Sequence, residues 1–272
     1  MNYHDWFAAE ANRFQLSCKG TVLTRSNRAS EFGSLWTVNF SGEQGRDVAQ
    51  IPRDVMEGVM NSQKLPVHLY LISPLDVGGG FPARLERAIV AGEGCVAAFQ
   101  FRVKDVDQHE AAKLAEPLQA ICAAHQVGFI VNDSVALAKR LKADGVHLGQ
   151  GDGSPKDARE ELGREAQIGV TCHGSKHFAM EAGEAGADYV AFGAFFPSTT
   201  KETEHKADLE VLEWWSALFE IPSVAIGGIT PDNCTGLIDA GVDFLAVSGA
   251  VWNSDEAEVV RAFAKTIDKT AE

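Results

Sequence analysis

The run Gln100-Phe101-Arg102-Val103-Lys104 closes an apolar stretch with a polar side chain at every second position. In an extended strand that spacing sets Gln100, Arg102 and Lys104 on one face and Phe101 and Val103 on the other. A solvated strand end would tolerate the two cations, but a buried face would not welcome them unpaired, so an anion site is the preferred reading. A second run ends in Asn132-Asp133, and a third leads into Gly149-Gln150-Gly151-Asp152. An Asp ahead of a helix is commonly an N-cap. Ser134 can cap equally well, which leaves Asp133 available for other work. Two carboxylates on neighbouring strand ends, close to two cations, suit Mg²⁺, which takes one or two carboxylates and fills its sphere with phosphate oxygens and water. Spacing alone leaves capping and metal binding both open.

Three other runs suit phosphate. Pro197-Ser198-Thr199-Thr200-Lys201 is rich in hydroxyls and closes on a flexible ammonium, although a small polar loop with an incidental lysine would look the same. Gly227-Gly228-Ile229-Thr230 and Val247-Ser248-Gly249 end two later apolar runs, where glycine lets backbone N–H groups come close to an anion. Among the histidines, His147 sits in an apolar strand and reads as a satisfied core residue. His173 lies beside Thr171 at a strand end and faces a site more naturally. Cys172 between them reads as packing, as does the helical pair Trp214-Trp215.

The elements that must position these residues repeat from residue 67 onward. The expected strands are 67–73, 96–104, 128–133, 145–150, 167–173, 187–196, 222–230 and 243–251, separated by amphipathic stretches such as FPARLERAIVAG and LEVLEWWSALFE. Apolar runs that alternate with helices imply parallel strands covered by helices. Eight units of this kind imply an α/β fold of the (β/α)8 TIM-barrel class. A doubly wound sheet would carry Gly-x-Gly-x-x-Gly after its first strand, and none is present. In the barrel the site lies at the carboxyl ends of the strands, and the loops after strands seven and eight commonly bind phosphate. The layout then reads as two anion regions, which two phosphorylated substrates would fill, one of them leaving a metal-bound diphosphate.

A net charge of −14 over 272 residues argues against nucleic acid or an anionic membrane as partner. Residues 1–59 hold 6 Lys and Arg against 7 Asp and Glu, which leaves −13 on residues 60–272 and makes any basic cluster there conspicuous. Five scattered cysteines without a Cys-x-x-Cys pair imply reduced thiols rather than a disulfide or zinc framework, hence a soluble cytoplasmic protein. Residues 1–59 lack a clear period, with weak strand character only in SLWTVNF. An appended subdomain, a poorly ordered extension, or an upstream segment ahead of a start at Met60 would each account for them. The expected division is 1–59 as an extension and 60–272 as the barrel. The sequence leaves room for a homo-oligomer without specifying one.

In order along the chain, Q-x-R-x-K, N-D, H-L-G-Q-x-D, G-V-T-x-H, the hydroxyl loop ending in T-K, A-I-G-G-I-T-P-x-N and A-V-S-G-A resemble thiamine phosphate synthase over about residues 67–260. The resemblance implies condensation of a hydroxymethylpyrimidine diphosphate with a thiazole phosphate, giving thiamine phosphate and diphosphate. By position, Gln100, Arg102, Lys104, Asn132 and Lys201 would hold the pyrimidine diphosphate, Asp133 and Asp152 would bind Mg²⁺, and Thr171 would stand for the family's usual Ser. Ser198, Thr199, Thr200, Gly228, Ser248 and Gly249 would hold the thiazole phosphate, and Tyr70 would form part of the pyrimidine wall. Arg102, Lys104 and Lys201 would act catalytically, by stabilising the leaving group. Ser198 replaces a usual Thr, and Gly249 replaces a common Ser while keeping a backbone donor. Two rival functions are a thiazole tautomerase using His173 as acid and base, and a non-catalytic phosphate-ligand binder that regulates thiamine synthesis. Retention of the diphosphate machinery speaks against the tautomerase; an intact metal pair would be superfluous in a binder, a reading the sequence leaves open.

Overall fold

In the computed structural model the described residues are 66–197 and 206–270, together with the backbone of three short strands nearer the amino terminus. The chain divides into two compact units, one of residues 4–65 and one running from Pro66 to the carboxyl end. In the first, β1 (Thr21–Arg25), β2 (Trp36–Phe40) and β3 (Val48–Ile51) form an antiparallel sheet in that order. The weak strand character of SLWTVNF falls on β2; the rest of residues 1–59 lies outside the described residues, and the other expectations about that segment lie there with it.

The second unit is a closed barrel of eight parallel strands. These are β4 (His68–Ile72), β5 (Val96–Phe101), β6 (Gly128–Asn132), β7 (Gly145–Leu148), β8 (Gln167–His173), β9 (Tyr189–Gly193), β10 (Ser223–Ile226) and β11 (Phe244–Val247), with β11 closing onto β4. Helices α1 (Phe81–Ala91), α2 (Gln108–Ala124), α3 (Val135–Leu141), α4 (Pro155–Leu162), α5 (Lys176–Glu184), α6 (Leu209–Leu218) and α7 (Thr235–Asp239) follow β4 to β10 in turn. A single turn, α8 (Gly249–Trp252), and the long α9 (Glu256–Thr270) follow β11. This is the (β/α)8 barrel that the alternation of apolar and amphipathic runs implied.

Strand parity sorts the side chains into two layers. Leu69, Leu71, Phe99, Phe101, Phe129, Val131, Val146 and Leu148 face the helices and are buried there, with Phe129 ring centroids 6.0 Å from Phe99 and 5.8 Å from Phe101. The opposite parity lines the barrel interior. Tyr70 on β4 meets Tyr189 on β9 across it, their hydroxyls 2.9 Å apart, although those two strands are not neighbours.

The floor of the barrel is tied by one device used three times. An Asp just ahead of a strand accepts an N–H from the first or second residue of the strand before it in sequence: Asp144 from Phe129, Asp188 from Ile168 and Asp243 from Ser223, each at 2.7 Å. A buried backbone donor without such a partner would cost free energy comparable to a lost hydrogen bond.

Seven of the eight expected strands run past the observed ones. The 96–104 run stops at Phe101, 128–133 at Asn132, 145–150 at Leu148 and 222–230 at Ile226. The residues beyond are rim loops whose backbone turns away from the ladder, as Asp133 at φ +65° and Gly227 at φ +104° do. Residues 249–251, expected within the last strand, instead form most of α8. Trp215 is buried edge-on against Phe192 and stacked on Phe219, while Trp214 is half-buried with the Lys176 ammonium over its ring. Cys95, Cys122, Cys172 and Cys234 are free thiols. Among the described residues no helix is long and apolar enough to cross a membrane.

Candidate active site

The carboxyl ends of β5, β6 and β7 bring the charged candidates together. Gln100 is the buried inward residue near the end of β5, and Arg102 and Lys104 continue from it in the loop to α2. Ser73, after β4, anchors the start of that loop by accepting from the Arg102 N–H at 2.9 Å and donating to its carbonyl at 3.1 Å. Asn132 ends β6. Ser134 caps α3 by accepting from the Leu137 N–H at 3.2 Å, so Asp133 is not used as the cap. Asp133 holds φ +65°, a left-handed conformation that Asp tolerates better than most residues, while its N–H donates to the His147 carbonyl at 2.8 Å.

Asp152 closes the turn after β7. Its Oδ2 accepts from the Gly149 N–H at 2.9 Å, and its own N–H donates to the Gly149 carbonyl at 3.2 Å. The turn delivers the Asp152 carboxyl to within hydrogen-bonding reach of the Asp133 carboxyl. Partial burial, the charge of Asp152 and that hydrogen bond all hold the Asp133 carboxyl above its ordinary value, and Lys104 and Arg102 pull it back down. A carboxylate raised by a second carboxylate beside it, with two cations close enough to act on it, belongs to a donor set suited to a divalent cation and an anionic ligand.

Inside the mouth, His147 is buried, as its apolar strand implied, and both ring nitrogens are bonded. Nδ1 lies 3.1 Å from the Tyr189 hydroxyl and Nε2 lies 2.8 Å from Thr171 Oγ1. The ring also stacks on Tyr189 at a centroid distance of 5.6 Å. Burial pushes its pKa down to about 4 despite the opposing charge of Asp152. Gly169 makes room for this arrangement, because a Cβ there would run into the Tyr189 ring. Gln100 Nε2 donates to the Tyr70 hydroxyl at 3.1 Å, and burial pushes the Tyr70 hydroxyl pKa up. Gln150, in the Asp152 turn, donates to the Thr171 carbonyl at 2.6 Å.

On the far side of the mouth, Gly228 lies after β10 at φ +63°, and a Cβ there would come within 2.8 Å of the Phe196 carbonyl and nearer still to that of Pro197. Only glycine fits such a position without displacing backbone. Asn233 pins this loop: its Oδ1 accepts from the Thr230 N–H at 2.8 Å and its Nδ2 donates to the Gly228 carbonyl at 3.0 Å. Ser248 and Gly249 are half-buried where β11 passes into α8; there the Val251 and Trp252 N–H groups donate to the Ser248 carbonyl at 2.9 and 3.0 Å, while those of Gly249 and Ala250, at the start of the turn, have no earlier helical carbonyl to reach. Trp252, at the end of α8, donates its indole N–H to the Ile72 carbonyl at 2.6 Å and so ties the turn to β4.

Gln100, Arg102, Lys104, Asn132, Asp133 and Asp152 therefore share one side of the mouth, and Gly228, Ser248 and Gly249 share the ends of β10 and β11. Tyr70 and Thr171 lie within the barrel. Ser198, Thr199, Thr200 and Lys201 lie outside the described residues. His173 ends β8 at φ +52°. Tyr189 and Asn233 escaped the sequence reading. Asn233 carried a signal, as the Asn of T-P-x-N can close a turn with its side chain. For Tyr189 the only signal was its place in an apolar strand, which does not reveal a partner on the opposite wall.

The model of the thiamine monophosphate synthase family matches residues 69–251. The chain belongs to that family. The thiamine-phosphate synthase of Erythrobacter litoralis (strain HTCC2594) is 74% identical over 210 residues, covering 76% of this chain and 99% of that protein. That of Rhodospirillum centenum (strain ATCC 51521 / SW) is 50% identical over 186 residues, covering 68% and 89%. Among solved structures, thiamine phosphate pyrophosphorylase from Pyrococcus furiosus superposes with a TM-score of 0.66 at 29% identity, covering 75% of this chain and 96% of that one.

Proposed function

We propose that the barrel, residues 60–272, is a thiamine-phosphate synthase that joins 4-amino-5-hydroxymethyl-2-methylpyrimidine diphosphate to thiazole phosphate. The observation that carries this reading is the meeting of Asp133 and Asp152 within the range of Arg102 and Lys104. Relatives bear that enzyme's name, among them one at 74% identity and one at 50%. The carbon–oxygen bond to diphosphate breaks with its electron pair leaving on oxygen, and the thiazole nitrogen lone pair forms the new carbon–nitrogen bond. Atoms and charge balance without a proton transfer, so the bond-forming step needs no general base.

Asp133 and Asp152 would hold Mg²⁺, which when bound supplies charge neutralisation at the departing diphosphate. Arg102, Lys104 and Lys201 bind the same oxygens. Because charge grows there as the bond breaks, fixed cations favour the transition state over the substrate. Gln100, Asn132, Thr171 and Tyr70 orient the pyrimidine. Ser198, Thr199, Thr200, Gly228, Ser248 and Gly249 hold the thiazole phosphate, partly through backbone donors at the start of α8. The tautomerase alternative is not favoured, since an isomerase working through His173 gives the carboxylate pair and its cations no task.

The test is to incubate the full chain with both substrates, with Mg²⁺ and with chelator, and to follow diphosphate and thiamine phosphate. Equal amounts of both should appear only with Mg²⁺. Absence of Mg²⁺-dependent product would sink the synthase reading. Asp152→Ala should lose turnover while remaining folded, and near-normal activity in that variant would remove Asp152 from the metal site.

A further inference from the structure

Five polar side chains from five strands form one line of hydrogen bonds across the barrel interior: Gln100 on β5, Tyr70 on β4, Tyr189 on β9, His147 on β7 and Thr171 on β8. The tyrosine pair and the His147 ring each allow either donor, and following the hydrogens from Gln100 assigns the line one of its two directions. The Gln100 amide nitrogen only donates, so the Tyr70 hydroxyl accepts at 3.1 Å and directs its own hydrogen to the Tyr189 oxygen at 2.9 Å. Tyr189 in turn directs its hydrogen to His147 Nδ1 at 3.1 Å. An Nδ1 that accepts carries no hydrogen. The ring hydrogen therefore sits on Nε2 and is donated to Thr171 Oγ1 at 2.8 Å.

The two ends of the line are then of opposite kind. Thr171 has its hydroxyl hydrogen left to give, and Gln100 has its amide carbonyl left to accept, neither with another side-chain partner among the described residues. Resting on the reading of Gln100 and Thr171 as pyrimidine-binding groups, we propose that Tyr189 and His147 are positioning residues, linked through Tyr70, that fix this polarity and so select an aminopyrimidine over the corresponding oxopyrimidine. An aminopyrimidine presents an N–H beside a ring-nitrogen lone pair, which matches an acceptor and a donor. The oxo form presents a carbonyl beside a ring N–H, so both contacts become like against like. A site built to bond one pattern rejects the other because its buried groups are left unpaired.

Two measurements on the full chain test this. In protein labelled with 15N-histidine, the His147 signals, assigned by their loss in His147→Gln, should show an unprotonated Nδ1 and a protonated Nε2. The reverse assignment overturns the line. Separately, calorimetry with Mg²⁺ and no thiazole should show the wild type preferring the amino diphosphate over its oxo analogue by about a hundredfold. Tyr189→Phe removes the donor that fixes the tautomer and should narrow that preference about tenfold, with circular dichroism confirming the fold. Thr171→Ser should keep the preference and Thr171→Val should lose it. An undiminished preference in Tyr189→Phe overturns the proposal. A wild type that binds neither pyrimidine overturns the synthase reading itself, on which the tautomer measurement does not depend.

Discussion

Replacing Asp133 by Asn should stabilise the metal-free protein while abolishing the Mg²⁺-dependent reaction. Burial and the neighbouring Asp152 hold the Asp133 carboxyl above its ordinary value of 3.8, so folding penalises its ionised form. Two unit charges about 4 Å apart repel by roughly 4 kcal/mol at an effective dielectric of 20 and by about 1 kcal/mol in bulk water. The burial of Asp133 is only partial and its side chain meets solvent at the rim, so the lower figure guides, and Arg102 and Lys104 offset part of any excess. Asn tolerates the φ of +65° as Asp does, which adds no backbone cost. The expected gain is about 1 kcal/mol, or a Tm roughly 2–4 °C higher for a domain of this size.

The sign with pH follows from the raised carboxyl. The penalty is absent below 3.8, grows as pH rises through 3.8 to the raised folded value, and stays constant above it. The excess stability of the Asn variant should therefore be present at neutral pH in chelator and shrink on acidification. Mg²⁺ at a hundred times its Kd should stabilise the wild type by about 2.7 kcal/mol and the variant by far less. Thermal unfolding in chelator and in Mg²⁺, across pH, measures both. A lower Tm for the variant in chelator, or an undiminished Mg²⁺-linked rise, would refute the repulsive-pair account.

Gly228→Ala should raise the KM for thiazole phosphate at least tenfold, since its Cβ displaces the Phe196 and Pro197 carbonyls; an unchanged KM would remove that loop from the site. Asn233→Ala removes both bonds that pin the same loop and should raise that KM about tenfold while moving the pyrimidine KM little, as initial-rate kinetics would show. Asp144→Ala leaves the Phe129 N–H without its acceptor at the barrel floor and should cost about 1–3 kcal/mol in denaturant unfolding, with kinetics preserved in the folded fraction.

Much of this was legible along the chain because it is local. Period and turn chemistry are written in neighbouring residues, so eight apolar runs implied the barrel, and Ser134 stood beside Asp133 as an equally good cap, the one the helix uses. Strand ends were read too long where Asp133 and Gly227 leave the ladder, since left-handed backbone in a rim loop leaves no mark on the hydrophobic pattern. The three floor aspartates recur before strands as A-D-G-V, A-D-Y-V and V-D-F-L, a repeat visible in sequence whose acceptor role is not.

The sequence by itself determined the fold class, the inward parity of Gln100 and the chain order of the charged rim residues. Tertiary structure decided what those residues meet. His147 reads as core, and it is buried, yet its partners are Tyr189 and Thr171 on other strands, brought to it only when the barrel closes. Asp133 and Asp152 become a pair because parallel neighbours end at the same rim. Which charges meet across strands depends on closure and register, and local sequence periodicity carries neither.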